Sequence, residues 1–190
     1  MEIEHRIKSK SAKQLLTAQR IAIFVDVQNL FYSAKYQYHS KVDFSKLMKY
    51  CVQDRQLIRA IAYIVQSPDI DQSGFLNILE NIGFEIKSKD LRLRPDGTAK
   101  GDWDMGIAID SIAIAERVDV IVLVSGDGDF VDLVNMLKSR GLVVEVMSFP
   151  NNTSEDLKRA ATYYMPLDRN VLISSSRPAA TDTSRTNSTL

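Results

Sequence analysis

The chain has 190 residues, of which 45% are hydrophobic, and its 24 basic and 24 acidic residues give a formal net charge of zero. This length suits one well-buried domain, and the neutral charge argues against nucleic-acid binding through overall charge, although local basic patches remain compatible with it. One cysteine excludes an internal disulfide, and two isolated histidines argue against a zinc site. We expect a cytoplasmic protein without signal peptide or membrane contact, because no run approaches the roughly 18 apolar residues of a spanning helix.

The apolar periodicity predicts strands and helices that alternate along most of the chain. Strands are predicted at 21–26, 57–65, 84–94, 119–125 and 142–147. Helices are predicted at 29–38, 44–54, 70–82, 102–116, 129–140 and 154–162. Such alternation predicts an α/β fold with a mostly parallel central sheet and helices on both of its faces.

Composition divides the chain into three parts. Residues 1–19 are basic and polar and are interpreted as an N-terminal arm. The alternating pattern defines one domain over residues 20–168. Residues 169–190 are rich in Ser, Thr and Arg and poor in apolar side chains, so we expect a C-terminal tail that is largely disordered.

Acidic side chains follow two of the predicted strands. Asp127 and Asp129 come after the run Val120–Val124, and Asp26 ends the first strand. Ligands bind at the carboxyl ends of strands in open α/β sheets, so we expect these acids at a binding site. Glycines 126 and 128 are expected to let the backbone turn sharply and approach a ligand closely.

A predicted helix brings further acids. Asp102 and Asp104 belong to its first turn, where the helix dipole favours carboxylates, and Asp110 lies in a largely apolar stretch where it needs a partner or a metal. At about 100° per residue, Asp104 and Asp110 project about 120° apart, so they do not share a narrow face. Asp104 is preferred for the site because it is nearer the helix end.

Each acid taken singly also has a local structural explanation. Asp26 can cap the first helix, and Asp129 can cap the helix that follows it. Asp127 is harder to explain in this way, because a cap needs only one of the pair. Carboxylates that converge must be neutralised, and grouped oxygen ligands suit Mg²⁺ or Mn²⁺.

Three motifs in this order resemble the NYN domain family, the LabA-like branch of the PIN-like nuclease superfamily. They are Phe24–Leu30, Lys100–Asp104 with Ile107–Asp110, and Val124–Phe130, and the similarity covers roughly residues 20 to 168. The resemblance implies a Rossmann-like PIN fold in three layers, an acidic metal-binding pocket and ribonuclease activity. It puts catalytic acids at Asp26, Asp104, Asp127 and Asp129, metal ligands at Asp26, Asp104 and Asp127, and Asn29 nearby.

Basic and aromatic residues are candidates for holding the nucleic acid. The cations Lys87, Lys89, Arg92, Arg94 and Lys100 form either a phosphate-binding rim or a solvated edge strand that positive charge protects. Tyr32 and Tyr36, at i and i+4, pack on each other or offer a ring to an unpaired base. Trp103 is interpreted as a packing anchor in preference to a base platform.

The leading hypothesis is a Mg²⁺- or Mn²⁺-dependent endoribonuclease that acts on single-stranded RNA. A metal-activated water would attack phosphorus, Ser125 or Lys100 would position the phosphate, and Asn29, Arg92 and Arg94 would contact the substrate. The alternative is a non-catalytic LabA-like regulatory module that binds RNA or protein, and a homo-oligomer or a protein partner is left open. A phosphotransfer receiver is disfavoured, because the strand ending near Met147 is followed by no lysine.

Overall fold

A computed structural model of the protein describes residues 17–67, 70–93, 99–100 and 102–173, with only the backbone at residues 92, 93, 99 and 100. Six strands form one parallel sheet in the order β3-β2-β1-β6-β7-β8, and β4 pairs with β5 in a short antiparallel hairpin. The strands are β1 (Arg20–Asp26), β2 (Gln56–Gln66), β3 (Glu85–Asp90), β4 (Arg92–Leu93), β5 (Ala99–Lys100), β6 (Val120–Val124), β7 (Val143–Ser148) and β8 (Tyr163–Pro166).

Helices cover both faces of this sheet. They are α1 (Val27–Tyr38), α2 (Phe44–Val52), α3 (Ser73–Ile82), α4 (Asp104–Ile114), α5 (Val131–Ser139) and α6 (Glu155–Ala160). Asp26 and Asp43 accept hydrogen bonds from the first-turn amides of α1 and α2, which explains where these two helices begin. Gly83, at φ +108°, ends α3 in the left-handed conformation that glycine adopts without strain.

The alternation of side chains along β1 builds two separate cores. Ile21, Ile23 and Val25 pack on one face with apolar residues of α1, α2 and α3. Ala22 and Phe24 point to the opposite face, where they pack with residues of α4, α5 and α6. The chain therefore has three layers, and its fold is α/β with a Rossmann-like parallel sheet, as the sequence predicts.

Two parts of the sheet differ from the sequence prediction. The strand expected at 84–94 ends at Asp90. The amide of Leu91 donates the last hydrogen bond of the β2–β3 pairing to the carbonyl of Gln66, and the chain then enters the β4–β5 hairpin. Strand β8 was not predicted, and it pairs in parallel with β7 at the edge of the sheet. Packing also continues beyond residue 168, because Val171 and Leu172 are buried.

The sheet order places a ligand crevice between two central strands. From β1 the chain moves outward through β2 and β3, and it then returns to add β6, β7 and β8 on the other side of β1. The carboxyl ends of β1 and β6 therefore flank the switch point at which open α/β sheets bind ligands. Within the described residues, no helix is long and apolar enough to cross a membrane.

Candidate metal and nucleic-acid site

Three carboxylates converge at the carboxyl ends of the central strands. Asp104 begins α4, and Asp127 and Asp129 lie in the loop between β6 and α5. One carboxylate oxygen from each lies within 4.8 Å of the other two, a spacing at which a single cation could contact all three. Oxygen donors of this kind suit Mg²⁺ or Mn²⁺, so the residues present fit such an ion.

Asp26 lies beside this trio with both carboxylate oxygens engaged. Its Oδ1 accepts a hydrogen bond from the Asn29 amide at 3.1 Å, and its Oδ2 accepts one from the Ser125 hydroxyl at 3.3 Å. The three carboxylates that meet are thus Asp104, Asp127 and Asp129, whereas the ligand set expected from the sequence has Asp26 in the place of Asp129. Asp26 adds negative charge beside these three carboxylates and anchors the start of α1.

Ser125 and Asn29 hold the loop in place. Ser125 is fully buried, and its Oγ also accepts the Asp127 amide at 3.3 Å. The Oδ1 of Asn29 accepts the Gly126 amide at 3.1 Å. The phosphate contact predicted for Ser125 is corrected by this burial, because its hydroxyl joins two acidic segments and does not reach solvent. Asn29 lines the pocket, and its carbonyl oxygen is used to fix the loop.

Asp104 is positioned by two anchors that fix α4 to the sheet. The indole nitrogen of Trp103 donates to the carbonyl of Ile64 at 2.9 Å, which confirms Trp103 as a packing anchor. Six residues after Asp104, Asp110 accepts a hydrogen bond from Lys87 Nζ at 2.7 Å and one from the Tyr63 hydroxyl at 2.6 Å. Asp104 and Asp110 thus have different partners, as helical phasing predicts, and Asp110 has a structural role.

The electrostatics of the pocket favour a cation. Burial raises the pKa of Asp104 to about 6, and the negative charges of its acidic neighbours contribute further, that of Asp127 most. Burial also raises the pKa of Asp26, although hydrogen bonds from the Asn29 amide and Ser125 work in the opposite direction. Carboxylates that repel one another in this way are stabilised by a bound divalent ion.

Asp127, and not Asp129, is the residue of this pair that caps the following turn. Asp127 is the cap, because its Oδ1 accepts the Asp129 amide at 3.0 Å. Asp129, for which capping alone was a sufficient explanation, is exposed and directs its carboxylate toward the other two. Capping engages one oxygen of Asp127, so its carboxylate can serve both purposes.

The acids open into a cavity of about 430 Å³. Its other walls are polar or aromatic, and none of the lining residues among those that the structure describes is Lys or Arg. Three lining residues were not predicted from the sequence: Gln28, Ser33 and Asn152. The others are Asp26, Asn29, Tyr32, Asp102, Trp103, Asp104 and Asp127. Asn152 follows β7, so its position after a strand end is the signal that could have found it.

Part of the predicted basic rim has other partners. Lys87 pairs with Asp110, and Lys89 Nζ lies 4.5 Å from the centre of the Trp103 ring. The rim interpretation is therefore corrected for Lys87, because its ammonium group neutralises a carboxylate of α4. Arg94 lies outside the described residues, as do the side chains of Arg92 and Lys100.

Sequence and structure comparisons bear on this site. The pattern of the NYN domain family matches residues 20–168. The chain belongs to the NYN domain family. This NYN chain is also 29% identical to the low amplitude and bright protein LabA of Synechococcus elongatus (strain ATCC 33912 / PCC 7942 / FACHB-805), over 157 residues that make up 78% of this chain and 84% of LabA.

A solved structure supports the fold of this NYN chain. The crystal structure of a Vibrio parahaemolyticus RIMD 2210633 protein of unknown function is similar with a TM-score of 0.77 and 40% identity. The similarity covers 83% of this chain and 98% of the Vibrio protein. The parallel sheet with helices on both faces is consistent with the PIN-like fold of NYN domains.

The two glycines of the NYN loop have a different purpose from the one expected. Neither adopts a positive φ. A Cβ at Gly126 would collide with the backbone carbonyl of Asn152, and one at Gly128 would lie 3.0 Å from the Ser154 hydroxyl oxygen. The close approach is therefore to the protein's own loop after β7, which brings Asn152 to the pocket wall.

Proposed function

We propose that this NYN domain is a divalent-metal-dependent ribonuclease that hydrolyses phosphodiester bonds within RNA chains. The observation that carries the proposal is the convergence of Asp104, Asp127 and Asp129, whose carboxylate oxygens lie within 4.8 Å of one another beside a cavity. Family membership supports the same chemistry, because the NYN domain is a PIN-like nuclease type.

The acids have distinct roles in this proposal. Asp104, Asp127 and Asp129 would hold Mg²⁺ or Mn²⁺, with Asp26 adjacent to them. When bound, such an ion lowers the pKa of a coordinated water and stabilises charge on a phosphoryl oxygen. The protein keeps the carboxylates in place through the contacts of Ser125 with Asp26 and with the Asp127 amide.

Phosphate needs positive charge, because a pocket of carboxylates repels it. Bound metal would supply part of this charge, and Lys89, which lies over the ring of pocket-lining Trp103, would supply more. Asn29, Lys100, Arg92 and Arg94 remain proposed substrate contacts. The β4–β5 hairpin places the backbone of Arg92 opposite that of Lys100, which is consistent with their acting together.

Cleavage of end-labelled RNA with Mn²⁺ tests the proposal through Asp127→Asn. Asparagine is as good a helix cap as aspartate, so the variant should fold while losing one anionic ligand. We expect cleavage to fall by at least about 100-fold, and EDTA to abolish it in the wild type.

Asp132→Asn is the matched control, since Asp132 is an exposed acid five residues along the same segment and does not line the cavity. It should cleave as the wild type does. Equal cleavage by wild type and Asp127→Asn would contradict the proposed site, and cleavage insensitive to EDTA would contradict the metal.

A non-catalytic regulatory module that binds RNA or protein is the second candidate. It is favoured by the absence of Lys and Arg among the described residues of the cavity wall, and by similarity to LabA, whose name states no enzymatic activity. It predicts RNA retention without turnover and without an effect of EDTA. The same cleavage assay, followed by filter binding of the uncut RNA, distinguishes the two functions.

A further inference from the structure

Two tyrosine rings stack on the exposed side of α1. The rings of Tyr32 and Tyr36 have centroids 5.9 Å apart and are nearly parallel, with an angle of 9° between their planes. Tyr32 is 43% exposed and Tyr36 is 66% exposed. Neither ring belongs to the two hydrophobic cores, so the sheet packing gives no reason for aromatic side chains at these positions.

A cation and a third ring accompany the pair. Phe31 is 47% exposed and meets Tyr32 edge to face, with centroids 5.5 Å apart. The Lys35 ammonium group lies 5.8 Å from the centre of the Phe31 ring and 5.9 Å from that of Tyr36. Exposed aromatic faces next to an exposed positive charge are typical of surfaces that bind unpaired nucleotides.

The stacked pair is continuous with the acidic cavity. Tyr32 lines that cavity together with Asp26 and Asp127, and Tyr36 lies one helical turn further along α1. An α-helical turn advances about 5.4 Å, so the stacked pair extends the aromatic surface by about that distance away from the cavity wall. A chain that leaves the acidic cavity along α1 therefore meets an aromatic face at once.

We propose that Tyr32 and Tyr36 form a base-stacking subsite for an unpaired nucleotide adjacent to the cleaved bond, with Lys35 contacting the neighbouring phosphate. Paired bases have both faces covered by their neighbours, so this subsite selects single-stranded RNA. The subsite takes RNA as its ligand and so rests on the function proposed above.

Fluorescence anisotropy of a short unstructured RNA, measured on the full chain with EDTA present, tests the subsite without any cleavage. We expect Tyr36→Ala to weaken binding of this RNA roughly 5- to 100-fold, the loss typical of one stacked base, and to leave duplex binding unchanged. Tyr36→Phe should bind within about twofold of wild type, because it keeps the ring. Lys35→Met should reduce the slope of log binding affinity against log salt concentration by about 1, the amount expected for the loss of one phosphate contact.

Tyr50→Ala is the control, since Tyr50 is a 38% exposed helical tyrosine near the end of α2. Helix α2 leads into the amino end of β2, whereas the acidic cavity lies at the carboxyl ends of the strands. Tyr50→Ala should bind RNA as the wild type does. Wild-type affinity in Tyr36→Ala overturns the subsite, as does an equal loss for single-stranded and duplex RNA. Wild-type RNA affinity together with lost self-association in sedimentation velocity also overturns it and assigns this face to a protein contact.

The subsite and the proposed nuclease can fail separately. Loss of binding in Tyr36→Ala, with no cleavage by any form, supports the subsite and contradicts the ribonuclease. Cleavage that depends on Asp127, with unchanged binding in Tyr36→Ala, supports the ribonuclease and overturns the subsite.

Discussion

Replacing Asp104 by Asn is expected to stabilise the metal-free protein. The pKa of Asp104 is raised from an ordinary 3.8 to about 6. This shift means that folding disfavours the ionised carboxylate by at most about 3 kcal/mol of free energy. Asp104 is partly exposed, and solvent screening reduces this to about 1 kcal/mol. For a protein of this size, Tm should rise by about 2–4 °C at neutral pH in EDTA.

The effect of Asp104 on the free energy of unfolding should depend on pH. The folded protein keeps the Asp104 proton up to about pH 6, whereas the unfolded chain releases it near 3.8, so ionisation of Asp104 lowers the free energy of unfolding as the pH rises through this window. The advantage of Asp104→Asn should therefore be full above pH 6 and shrink toward pH 4. Thermal denaturation followed by circular dichroism across this range measures it.

Metal should reverse the order of stability. A ligand present at about 100 times its Kd stabilises a protein by about 2.7 kcal/mol, so saturating Mn²⁺ should make the wild type melt above Asp104→Asn. Asp110→Asn is the control on the same helix. Burial disfavours the ionised Asp110, but hydrogen bonds from Lys87 and Tyr63 outweigh it and lower the pKa of Asp110, so this variant should lose roughly 1 kcal/mol.

Two outcomes would refute this reasoning. If Asp104→Asn melted at or below the wild type in EDTA, burial and the neighbouring carboxylates would not disfavour the ionised form of Asp104 as its position implies. If Mn²⁺ stabilised both proteins equally, Asp104 would not be a ligand. Asp110→Asn, measured in parallel, shows whether any substitution of an acid in α4 has the same effect.

Two further variants test close packing beside the site and a buried ion pair elsewhere in the fold. Gly126→Ala should lower the free energy of unfolding, measured in urea, by about 1–3 kcal/mol, because the added Cβ would collide with the Asn152 carbonyl. Gly74→Ala is the control and should be neutral or stabilising, because Gly74 has open space around it. Equal effects of the two variants would contradict the close approach at Gly126. Arg55→Met should lower the free energy of unfolding by about 3–5 kcal/mol, because it leaves the buried Glu145 carboxylate without the guanidinium group 2.6 Å away. The double variant Arg55→Met with Glu145→Leu should recover most of this loss. A double variant as unstable as the single one would contradict the ion-pair explanation.

Much of the fold follows from residue patterns. Strand β6 reads Val-Ile-Val-Leu-Val and is buried along its whole length, as an apolar run of β-branched residues predicts for a central parallel strand. Gly83 and Gly141 lie just after helices α3 and α5, a position typical of glycine in sequence, and both have the positive φ that glycine adopts without strain. These features were predictable because they depend on neighbours along the chain.

The features that the sequence did not predict depend on contacts between distant segments. Strand β8 has only four residues, Tyr163–Pro166, and it becomes a strand because the edge of β7 is available for pairing. Asp129 joins the trio because the start of α4, which carries Asp104, lies beside the loop that carries Asp127 and Asp129, and no local pattern brings these two segments together. Lys87 was grouped with phosphate-binding cations because its partner Asp110 lies 23 residues away.

In the function proposed here, the converging carboxylates of Asp104, Asp127 and Asp129 hold one divalent cation. Anomalous diffraction from crystals soaked in Mn²⁺ tests it most directly. We expect a single strong peak in direct contact with carboxylate oxygens of all three residues, and its loss in crystals of Asp127→Asn. A well-ordered pocket with no anomalous peak, or a peak bound elsewhere and unchanged in the variant, would contradict it.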